Sequence, residues 1–273
     1  ANRNFHQGYR SMLNPSSIFI TGASSGIGEA LALHYAAAGI SLHLGGRNQA
    51  RLDDVAARCR AAGATVTTHS SEVSNRDAMA DCIALADNVA ELDLVIANAG
   101  ISGGTSNGKE AADQVRQVFD VNLNGVLNTV LPALDRMMAR QSGQIAIMSS
   151  LAGFLPLPGA PAYGASKAAV RQYGEALRMS ARSSNVKVSV ICPGFVHSRM
   201  TAANPFTMPL IMPSDKAARI IAKGLAKNRT RIAFPWPIYV AVWLLGSVFP
   251  AALNQRILER LPEKPPFDAT ASD

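Results

Sequence analysis

Short apolar segments alternate with longer segments of helical periodicity along most of this chain, and this alternation restricts the fold more than any other feature. The apolar runs predict strands over residues 17–21, 40–45, 65–70, 92–97, 144–149 and 186–192. The segments between them predict helices over residues 28–38, 48–62, 75–89, 112–139 and 162–183. Strands separated by helices pair in parallel through right-handed crossovers. We therefore expect an α/β fold with a doubly wound parallel sheet between two layers of helices.

Length and composition fit one large domain. The chain has 273 residues, of which 48% are apolar and 16% charged, as expected for a globular α/β protein rather than a disordered one. We predict a catalytic domain over residues 16–230, preceded by an extension or expression scar over residues 1–15. An apolar C-terminal extension over residues 231–273 follows it.

Charge and cysteine content favour some functional classes over others. The formal charge is +7, but Lys and Arg are scattered without a basic run, so we predict no nucleic-acid partner. The three cysteines and five histidines show no metal-ligand spacing, so we predict no metal. Residues 1–11 lack the apolar core of a secretory signal. The expected location is cytoplasmic, with membrane association as an alternative.

A glycine-rich turn follows the first predicted strand. Residues 21–28 read TGASSGIG, so the turn ends at the start of a helix. Glycines let the backbone approach a pyrophosphate closely, and the helix N-terminus favours its negative charge. A simple strand-to-helix connection is the alternative. We predict a dinucleotide site containing Gly22, Ser24, Ser25, Gly26, Ile27 and Gly28.

The end of the second strand indicates which dinucleotide binds. An NAD site usually has an acidic residue about 20 residues after the first glycine, but none lies between Glu29 and Asp53. The strand ends in Gly45-Gly46-Arg47, which leaves room for a 2′-phosphate beside a guanidinium. NADP is therefore preferred, with NAD as the alternative cofactor. Arg47 could also be a solvated residue at a helix start.

Tyr163 and Lys167 are four residues apart on a predicted helix, so both lie on one face. The ammonium group of Lys167 can favour the ionised form of the phenol, which would let Tyr163 act as an acid or base near neutral pH.

In this order the motifs resemble those of the short-chain dehydrogenase/reductase family, of the type with a single Rossmann-like domain. The resemblance spans roughly residues 16–230. It is carried by TGASSGIG at 21–28, NAG at 98–100, Asn122 in NLNG, Ser150 in SSLAG, YGASK at 163–167 and PG at 193–194.

The resemblance implies four catalytic residues. Ser150 resembles the serine that hydrogen-bonds the substrate carbonyl, and Tyr163 resembles the proton donor. Lys167 resembles the residue that lowers the tyrosine pKa and binds the nicotinamide ribose. Asn122 resembles the asparagine that anchors a water in a proton relay. Ser149 is the alternative to Ser150, because consecutive strand residues face opposite ways.

The resemblance also implies further cofactor contacts. Besides the glycine turn, Arg47, Tyr163 and Lys167, they comprise Glu72, Val73, Asn98, Ala99, Gly100, Pro193, Gly194, Val196 and Ser198. Two of these depart from the family pattern. Glu72 stands where an aspartate more often contacts the adenine, and Ser198 where a threonine usually meets the nicotinamide amide.

The segment over residues 195–212 occupies the position of the family's substrate loop. Its three methionines and Phe206 suggest an adaptable apolar pocket wall, hence a hydrophobic ketone or alcohol substrate. The alternative is an ordinary apolar loop that packs on its own domain.

Residues 232–253 form an uncharged apolar segment that is interrupted by Pro235, Pro237 and Pro250. The uninterrupted helical stretch, 238–249, is too short to cross a bilayer. Three interpretations stay open: a buried helix or subunit contact, peripheral membrane contact through residues 232–253, and a true span.

Together these features predict an NADP-dependent oxidoreductase that transfers hydride between nicotinamide and the carbonyl or hydroxyl carbon of an apolar, lipid-, steroid- or ketone-like substrate. The alternatives are a non-catalytic NADP-binding sensor or scaffold, and an epimerase or isomerase on the same fold. By resemblance, a homodimer or homotetramer is expected through the helices predicted at 112–139 and 162–183.

Overall fold

Seven parallel strands form one sheet in the computed structural model, which describes residues 15–249, 258, 264 and 266. Their spatial order is β3-β2-β1-β4-β5-β6-β7, and every neighbouring pair is parallel. The predicted α/β fold with a doubly wound parallel sheet is confirmed.

The elements follow the predicted alternation. The strands are β1 Ser17–Thr21, β2 Ser41–Gly46, β3 Thr65–Ser70, β4 Leu94–Ala97, β5 Gln144–Met148, β6 Lys187–Pro193 and β7 Arg231–Phe234. The α-helices are α1 Gly26–Tyr35, α2 Gln49–Ala61, α3 Arg76–Val89, α4 Ala112–Phe119, α5 Gly125–Ala139, α6 Pro161–Ser180, α7 Arg199–Ala202, α8 Ser214–Ala226 and α9 Trp236–Ser247.

The central strands are apolar on both faces because helices cover both sides of the sheet. In β1 every residue is buried. Ile18 and Ile20 pack in the core on one side with residues of α1, α2 and α8, whereas Phe19 packs on the other with α3, α5 and α6. This alternation follows from the two-residue period of a strand.

The order of the strands indicates where a ligand site lies. It reverses between β1 and β4, and in such sheets ligands bind beyond the carboxyl ends of the strands at the reversal. The glycine turn follows β1, and the NAG segment at 98–100 follows β4. Both therefore meet at the same edge of the sheet.

The helix predicted over residues 112–139 is interrupted. A π-helical turn, Asp120–Asn124, separates α4 from α5, and it contains Asn122. Such turns inside helices are frequent at functional sites. Periodicity did not indicate it, because one wider turn changes the apolar pattern very little.

The predicted boundary at residue 230 needs correction. β7 begins at Arg231 and pairs with β6 as the seventh strand, so the sheet extends beyond the range assigned to the catalytic domain. Most of the predicted N-terminal extension, residues 1–14, lies outside the described residues, as do residues 250–253 of the apolar segment.

Helix α9 packs on the domain through one face. Ile238, Tyr239 and Val242 contact a small cluster that includes Leu151 and Phe154, the ends of a 3₁₀ turn after β5. The opposite face exposes apolar side chains, namely Trp236, Val240, Trp243 and Leu244. None of the helices described here is long and apolar enough to span a membrane.

Candidate active site

One cavity of about 1160 Å³ opens at the carboxyl ends of the strands. It extends from Arg47 at the end of β2, along the glycine turn, to Tyr163 on α6. Its far walls include residues of the 195–212 segment and of α9. The predicted cofactor and substrate regions therefore share a single space.

The glycine turn is closely packed. A Cβ at Gly28 would lie 2.1 Å from the carbonyl oxygen of Gly22, so no larger residue fits. The Asn98 amide Nδ2 donates to the carbonyl oxygens of Thr21 (2.9 Å) and Gly22 (3.2 Å). Asn98 thus holds the turn against the end of β4.

Thr21 completes this connection and was missed by the sequence analysis. Its Oγ1 accepts hydrogen bonds from the backbone amides of Asn98 (3.0 Å) and Ala99 (3.1 Å). The available signal was a hydroxyl residue at the end of an apolar strand, which does not by itself reveal a partner far along the chain.

The N-terminus of α1 faces the cavity. Ser24, Ser25, Gly26 and Ile27 all line it. The N-cap residue Ser25 makes no side-chain capping bond. The first backbone N–H groups of a helix have no intrahelical acceptor and attract anions. This turn therefore fits a pyrophosphate.

The far end of the cavity carries two arginines. Arg47 is exposed there, and Arg51, one turn into α2, lines the same wall. Arg51 was not predicted, because Arg47 precedes α2 and helical spacing therefore does not relate the two residues. Glu72 and Val73 line the wall beyond β3, where the adenine contacts were predicted.

The NAG segment over residues 98–100 lines the same cavity as the glycine turn and most of the predicted catalytic side chains. Asn98, Ala99 and Gly100 line the cavity, but Asn122 does not. The Asn122 carboxamide is fully buried and bonds the backbone of Ile101 and the hydroxyl of Ser166. These hydrogen bonds fix the position of the Asn122 side chain. Its part in a proton relay stays a prediction.

Ser150, Tyr163 and Lys167 come together in the cavity. The Ser150 hydroxyl is near enough to the Tyr163 phenol to oppose the increase of its pKa, and it donates to the carbonyl oxygen of Pro193 at 3.4 Å. The Lys167 Nζ lies 5.9 Å from the centroid of the Tyr163 ring and donates to the carbonyl oxygen of Met148 at 3.0 Å. Ser149 donates its hydroxyl to the carbonyl oxygen of Lys167 at 2.7 Å. Ser150 is therefore the serine at the phenol.

Burial shifts the pKa values of both Tyr163 and Lys167. Burial raises the pKa of Tyr163, and the hydrogen bond from Ser150 opposes that increase. Burial also lowers the pKa of Lys167 to about 8. Removal from water disfavours both charged forms. That Lys167 lowers the tyrosine pKa stays a prediction.

The β6 end closes the remaining side. Pro193, Gly194 and Val196 line the cavity, and the Gly194 amide donates to the carbonyl oxygen of Phe234 at 2.7 Å. Ser198 also lines it, yet its hydroxyl caps α7 by accepting from the Thr201 amide at 3.2 Å. The nicotinamide contact predicted for Ser198 would have to share that hydroxyl.

The substrate end is mostly apolar. The 195–212 segment contributes Met200 and Phe206, whereas Met212 is buried in the main core. The expectation of three methionines in the wall is therefore too broad. Further apolar lining comes from Val121, Leu151, Leu155, Leu157, Ile238, Val242, Leu245 and Leu258. Lys264 also lies there, and no sequence motif pointed to it.

Within the described residues, no group of His, Cys, Asp and Glu side chains could hold a metal ion. The cavity lining includes hydroxyls and cations, among them Ser150, Tyr163 and Lys167, which suit anionic and carbonyl ligands.

Comparison with known proteins identifies the family. A family model described as short chain dehydrogenase matches residues 16–207. A Myxococcus xanthus protein named as an oxidoreductase is 38% identical over 244 residues, which cover 89% of this chain and 96% of the relative.

Two solved structures are similar in fold. A short-chain dehydrogenase/reductase from Burkholderia phymatum in complex with NAD has a TM-score of 0.79 at 25% identity, covering 94% of this chain and 99% of that one. A short-chain dehydrogenase from Sphingobium yanoikuyae in complex with NADPH has a TM-score of 0.76 at 23% identity, covering 92% and 98%.

The fold and the cavity define a Rossmann-like oxidoreductase. The chain belongs to the short-chain dehydrogenase/reductase family. The predicted family and enzyme class are confirmed.

Proposed function

We propose that this protein is an NADP-dependent oxidoreductase that interconverts the carbonyl and hydroxyl groups of an apolar substrate. The observation that carries the proposal is that Ser150, Tyr163 and Lys167 line one cavity together with the glycine turn, with the Lys167 Nζ 5.9 Å from the centroid of the Tyr163 ring. A nicotinamide cofactor bound along that turn would supply the hydride.

The side chains have complementary tasks. In the reductive direction the carbonyl oxygen gains charge as its carbon accepts hydride, and donors already in position stabilise that charge. Ser150 orients the oxygen, and Tyr163 delivers a proton from its phenol. The raised pKa of Tyr163 keeps the phenol protonated and ready to donate at neutral pH. We assign Lys167 to the ribose hydroxyls of the cofactor, as the family resemblance implies.

Arg47 and Arg51 support NADP over NAD. Both line the end of the cavity where the adenosine ribose of a dinucleotide on the glycine turn would lie. Guanidinium groups bind phosphate with two parallel hydrogen bonds, and a carboxylate for a free 2′-hydroxyl is missing from the segment between Glu29 and Asp53.

The apolar walls support a hydrophobic substrate. Leu151, Leu155 and Leu157 follow β5 next to Ser150, and Phe206, Ile238 and Val242 lie on neighbouring segments. Removing apolar surface from water favours binding by roughly 25 cal/mol per Å². A ketone with a substantial apolar body would gain most from this surface.

The first experiment measures NADPH and NADH oxidation, by absorbance, against ketones, aldehydes, quinones and steroids, with Tyr163→Phe in parallel. We expect NADPH-preferring turnover that falls roughly 100-fold or more in the variant, since general acid catalysis contributes 10²–10⁴-fold. Cofactor binding should survive.

Other results would favour the alternatives. NADPH binding without reduction of any panel member favours a sensor or scaffold. Conversion of a substrate without net change in NADPH favours an epimerase or isomerase. A Tyr163→Phe variant with near-normal turnover would exclude Tyr163 as the proton donor.

We also propose that α9 mediates peripheral membrane contact. Its outer face carries Trp236, which is 72% exposed, and Trp243, which is 43% exposed. Val240 and Leu244 lie on the same face. Tryptophan is enriched where apolar and aqueous media meet, and the net charge of +7 favours anionic lipid. A second copy of the chain is the competing partner for this face.

A homodimer or homotetramer remains our proposal for the assembly. Exposed apolar side chains lie on both helices that the resemblance implicates, Leu131 and Met138 on α5 and Met179 on α6. Their burial between copies would remove apolar surface from water.

A further inference from the structure

Lys264 brings a cation into the substrate end of the cavity. Its Nζ donates to the Ser102 hydroxyl at 2.7 Å. The same ammonium lies 5.7 Å from the centroid of the Tyr163 ring, nearly the same distance as Lys167 at 5.9 Å. Two ammonium groups, those of Lys167 and Lys264, therefore lie near the ring of Tyr163, the proposed proton donor.

Lys264 lies away from the part of the cavity that is proposed to hold the phosphates of the cofactor. Ser102 lies two residues beyond the NAG segment, and Tyr163 marks the point of reaction. The glycine turn, Arg47 and Arg51 lie toward the other end of the cavity. Leu258 and Pro266, from the same part of the chain, line the cavity as well.

Lys264 lacks a counter-charge among the residues that the structure describes. No carboxylate of the described chain lies within 4.0 Å of its Nζ, and its hydrogen bond to Ser102 is with a neutral group. The side chain is partly buried, and burial lowers its pKa to about 8, which leaves it mostly protonated at neutral pH. Removing a cation from water is costly unless an anion or several acceptors compensate it.

The surroundings specify what kind of ligand would compensate it. Apolar side chains contribute to the same cavity, with Leu151, Leu155 and Leu258 among them. A ligand that satisfies both features has an apolar body and an anionic group near the carbonyl that meets Ser150 and Tyr163. A carboxylate meets this requirement and accepts charge-assisted hydrogen bonds from an ammonium.

We infer that Lys264 is a specificity-determining residue that binds a carboxylate of the substrate, so that the preferred substrates are apolar oxo acids rather than neutral ketones. This inference rests on the proposed function and assigns its substrate class. Ser102 positions the ammonium by accepting one of its hydrogen bonds, which leaves other N–H groups to face the ligand.

The experiment compares two acid and ester pairs as substrates of the full-length protein with NADPH: phenylpyruvate and its methyl ester, and benzoylacetate and its ethyl ester. The variants are Lys264→Gln, which removes the charge, and Lys264→Arg, which keeps it. Lys223→Gln on α8 is the matched control, since this lysine is exposed and does not line the cavity.

We expect wild type to prefer at least one acid over its ester. Lys264→Gln should lower kcat/KM for that acid roughly 10- to 100-fold, because a hydrogen bond to a charged group is worth about 1.5–3 kcal/mol. The ester should change less than about threefold by the same reasoning. Lys264→Arg should retain most of the preference, and Lys223→Gln should match wild type.

Three results would overturn the inference. Equal losses for acid and ester in Lys264→Gln would indicate a structural role, and a rise for both would indicate that Lys264 obstructs the site. A higher KM for NADPH with unchanged acid preference would indicate a cofactor contact.

The two proposals fail in different ways. Reduction of neutral ketones only, unaffected by Lys264→Gln, overturns the inference and leaves the proposed function intact. If no carbonyl compound is reduced, the proposed function fails. Binding of phenylpyruvate to the NADPH complex, followed by the fluorescence of bound NADPH, then decides the inference: loss of binding in Lys264→Gln supports it, and absence of binding to wild type overturns it.

Discussion

Among single residues, we assign different tasks to four cations of the cavity. Arg47 and Arg51 lie at the end assigned to a 2′-phosphate, Lys167 beside the phenol, and Lys264 where a substrate group would enter. The cations differ in their surroundings: Arg47 is exposed, whereas Lys167 is only 3% exposed. An exposed guanidinium can therefore be exchanged with little effect on folding, which makes Arg47 a suitable probe of cofactor choice.

Arg47→Asp should reverse or abolish the preference for NADPH. The variant replaces a phosphate-binding group with one that repels phosphate and can accept from a ribose hydroxyl. We expect the ratio of kcat/KM values for NADPH and NADH to fall roughly tenfold or more, from the loss of about 1.5–3 kcal/mol. Arg182→Asp, an exposed change outside the cavity, should leave that ratio unchanged. An unaltered ratio in Arg47→Asp would transfer the preference to other groups, Arg51 first.

The buried imidazole of His43 is expected to make the stability of the fold depend on pH. It is 1% exposed in β2, with its Nδ1 3.3 Å from the Nε2 of His69 in β3. Burial, and secondarily the neighbouring His69, lower the pKa of His43 to about 4. The unfolded chain therefore binds more protons than the folded one between about pH 6.5 and pH 4, and stability falls as the pH falls through this window.

We expect wild type to lose about 1 kcal/mol of unfolding free energy through His43 between roughly pH 7.5 and pH 5.5, a range above the carboxylate pKa values. Urea unfolding at the two values would measure this loss. His43→Leu removes the imidazole, so its slope with pH should be smaller. Equal slopes in the variant and wild type would show that His43 is not responsible.

At the scale of elements, α9 is held by contacts that its own sequence does not reveal. Arg231 in β7 hydrogen-bonds Glu175 on α6 at 2.7 Å and the Tyr239 hydroxyl on α9 at 2.8 Å. Its guanidinium also lies 5.1 Å from the centroid of the Phe154 ring. These contacts connect the start of α9 to the turn that follows Ser150, so the helix serves as a wall of the site.

Gly246→Ala tests this packing. A Cβ at Gly246 would lie 2.0 Å from the carbonyl oxygen of Phe154, so the helix or the turn must move. In an isolated helix the change would stabilise by about 1 kcal/mol, but overpacking typically costs about 1–3 kcal/mol. We expect a lower melting temperature and a lower kcat/KM for bulky substrates. Ser247→Ala, an exposed change on the same helix, is the control. A higher melting temperature for Gly246→Ala would contradict the close approach.

At the scale of the whole molecule, one domain presents a substrate cavity and an exposed apolar helix face on neighbouring surfaces. The inner face of α9 lines the cavity through Ile238, Val242 and Leu245, and its outer face carries Trp236 and Trp243. A membrane at that outer face would lie close to the entrance for apolar substrates.

The double variant Trp236→Ser/Trp243→Ser should weaken binding to vesicles of anionic and zwitterionic lipid in co-sedimentation, because it removes the two largest exposed apolar groups of the helix. Leu85→Ser/Val89→Ser removes exposed apolar groups from α3 and serves as the control. Loss of a dimer in light scattering, with vesicle binding unchanged, would instead assign this face to a second copy.

Most of the sheet was predictable from the sequence, because strands and their connections depend on local patterns. Short, nearly continuous apolar runs indicate strands that are buried on both faces, as in β1 and β5. The glycine spacing of 22–28 is likewise a local requirement of the turn. By contrast, β7 was not predicted, since its four residues form a strand only because β6 offers an edge.

The doubly wound fold followed from alternating patterns along the sequence, and the family followed from the ordered set of motifs. Only the tertiary structure decided that Ser150 rather than Ser149 meets the phenol and that burial raises the pKa of Tyr163. It also decided that Lys264 reaches Ser102, 162 residues away in sequence. Solvent exclusion and contacts between distant segments exist only in the folded chain, so no local pattern could specify them.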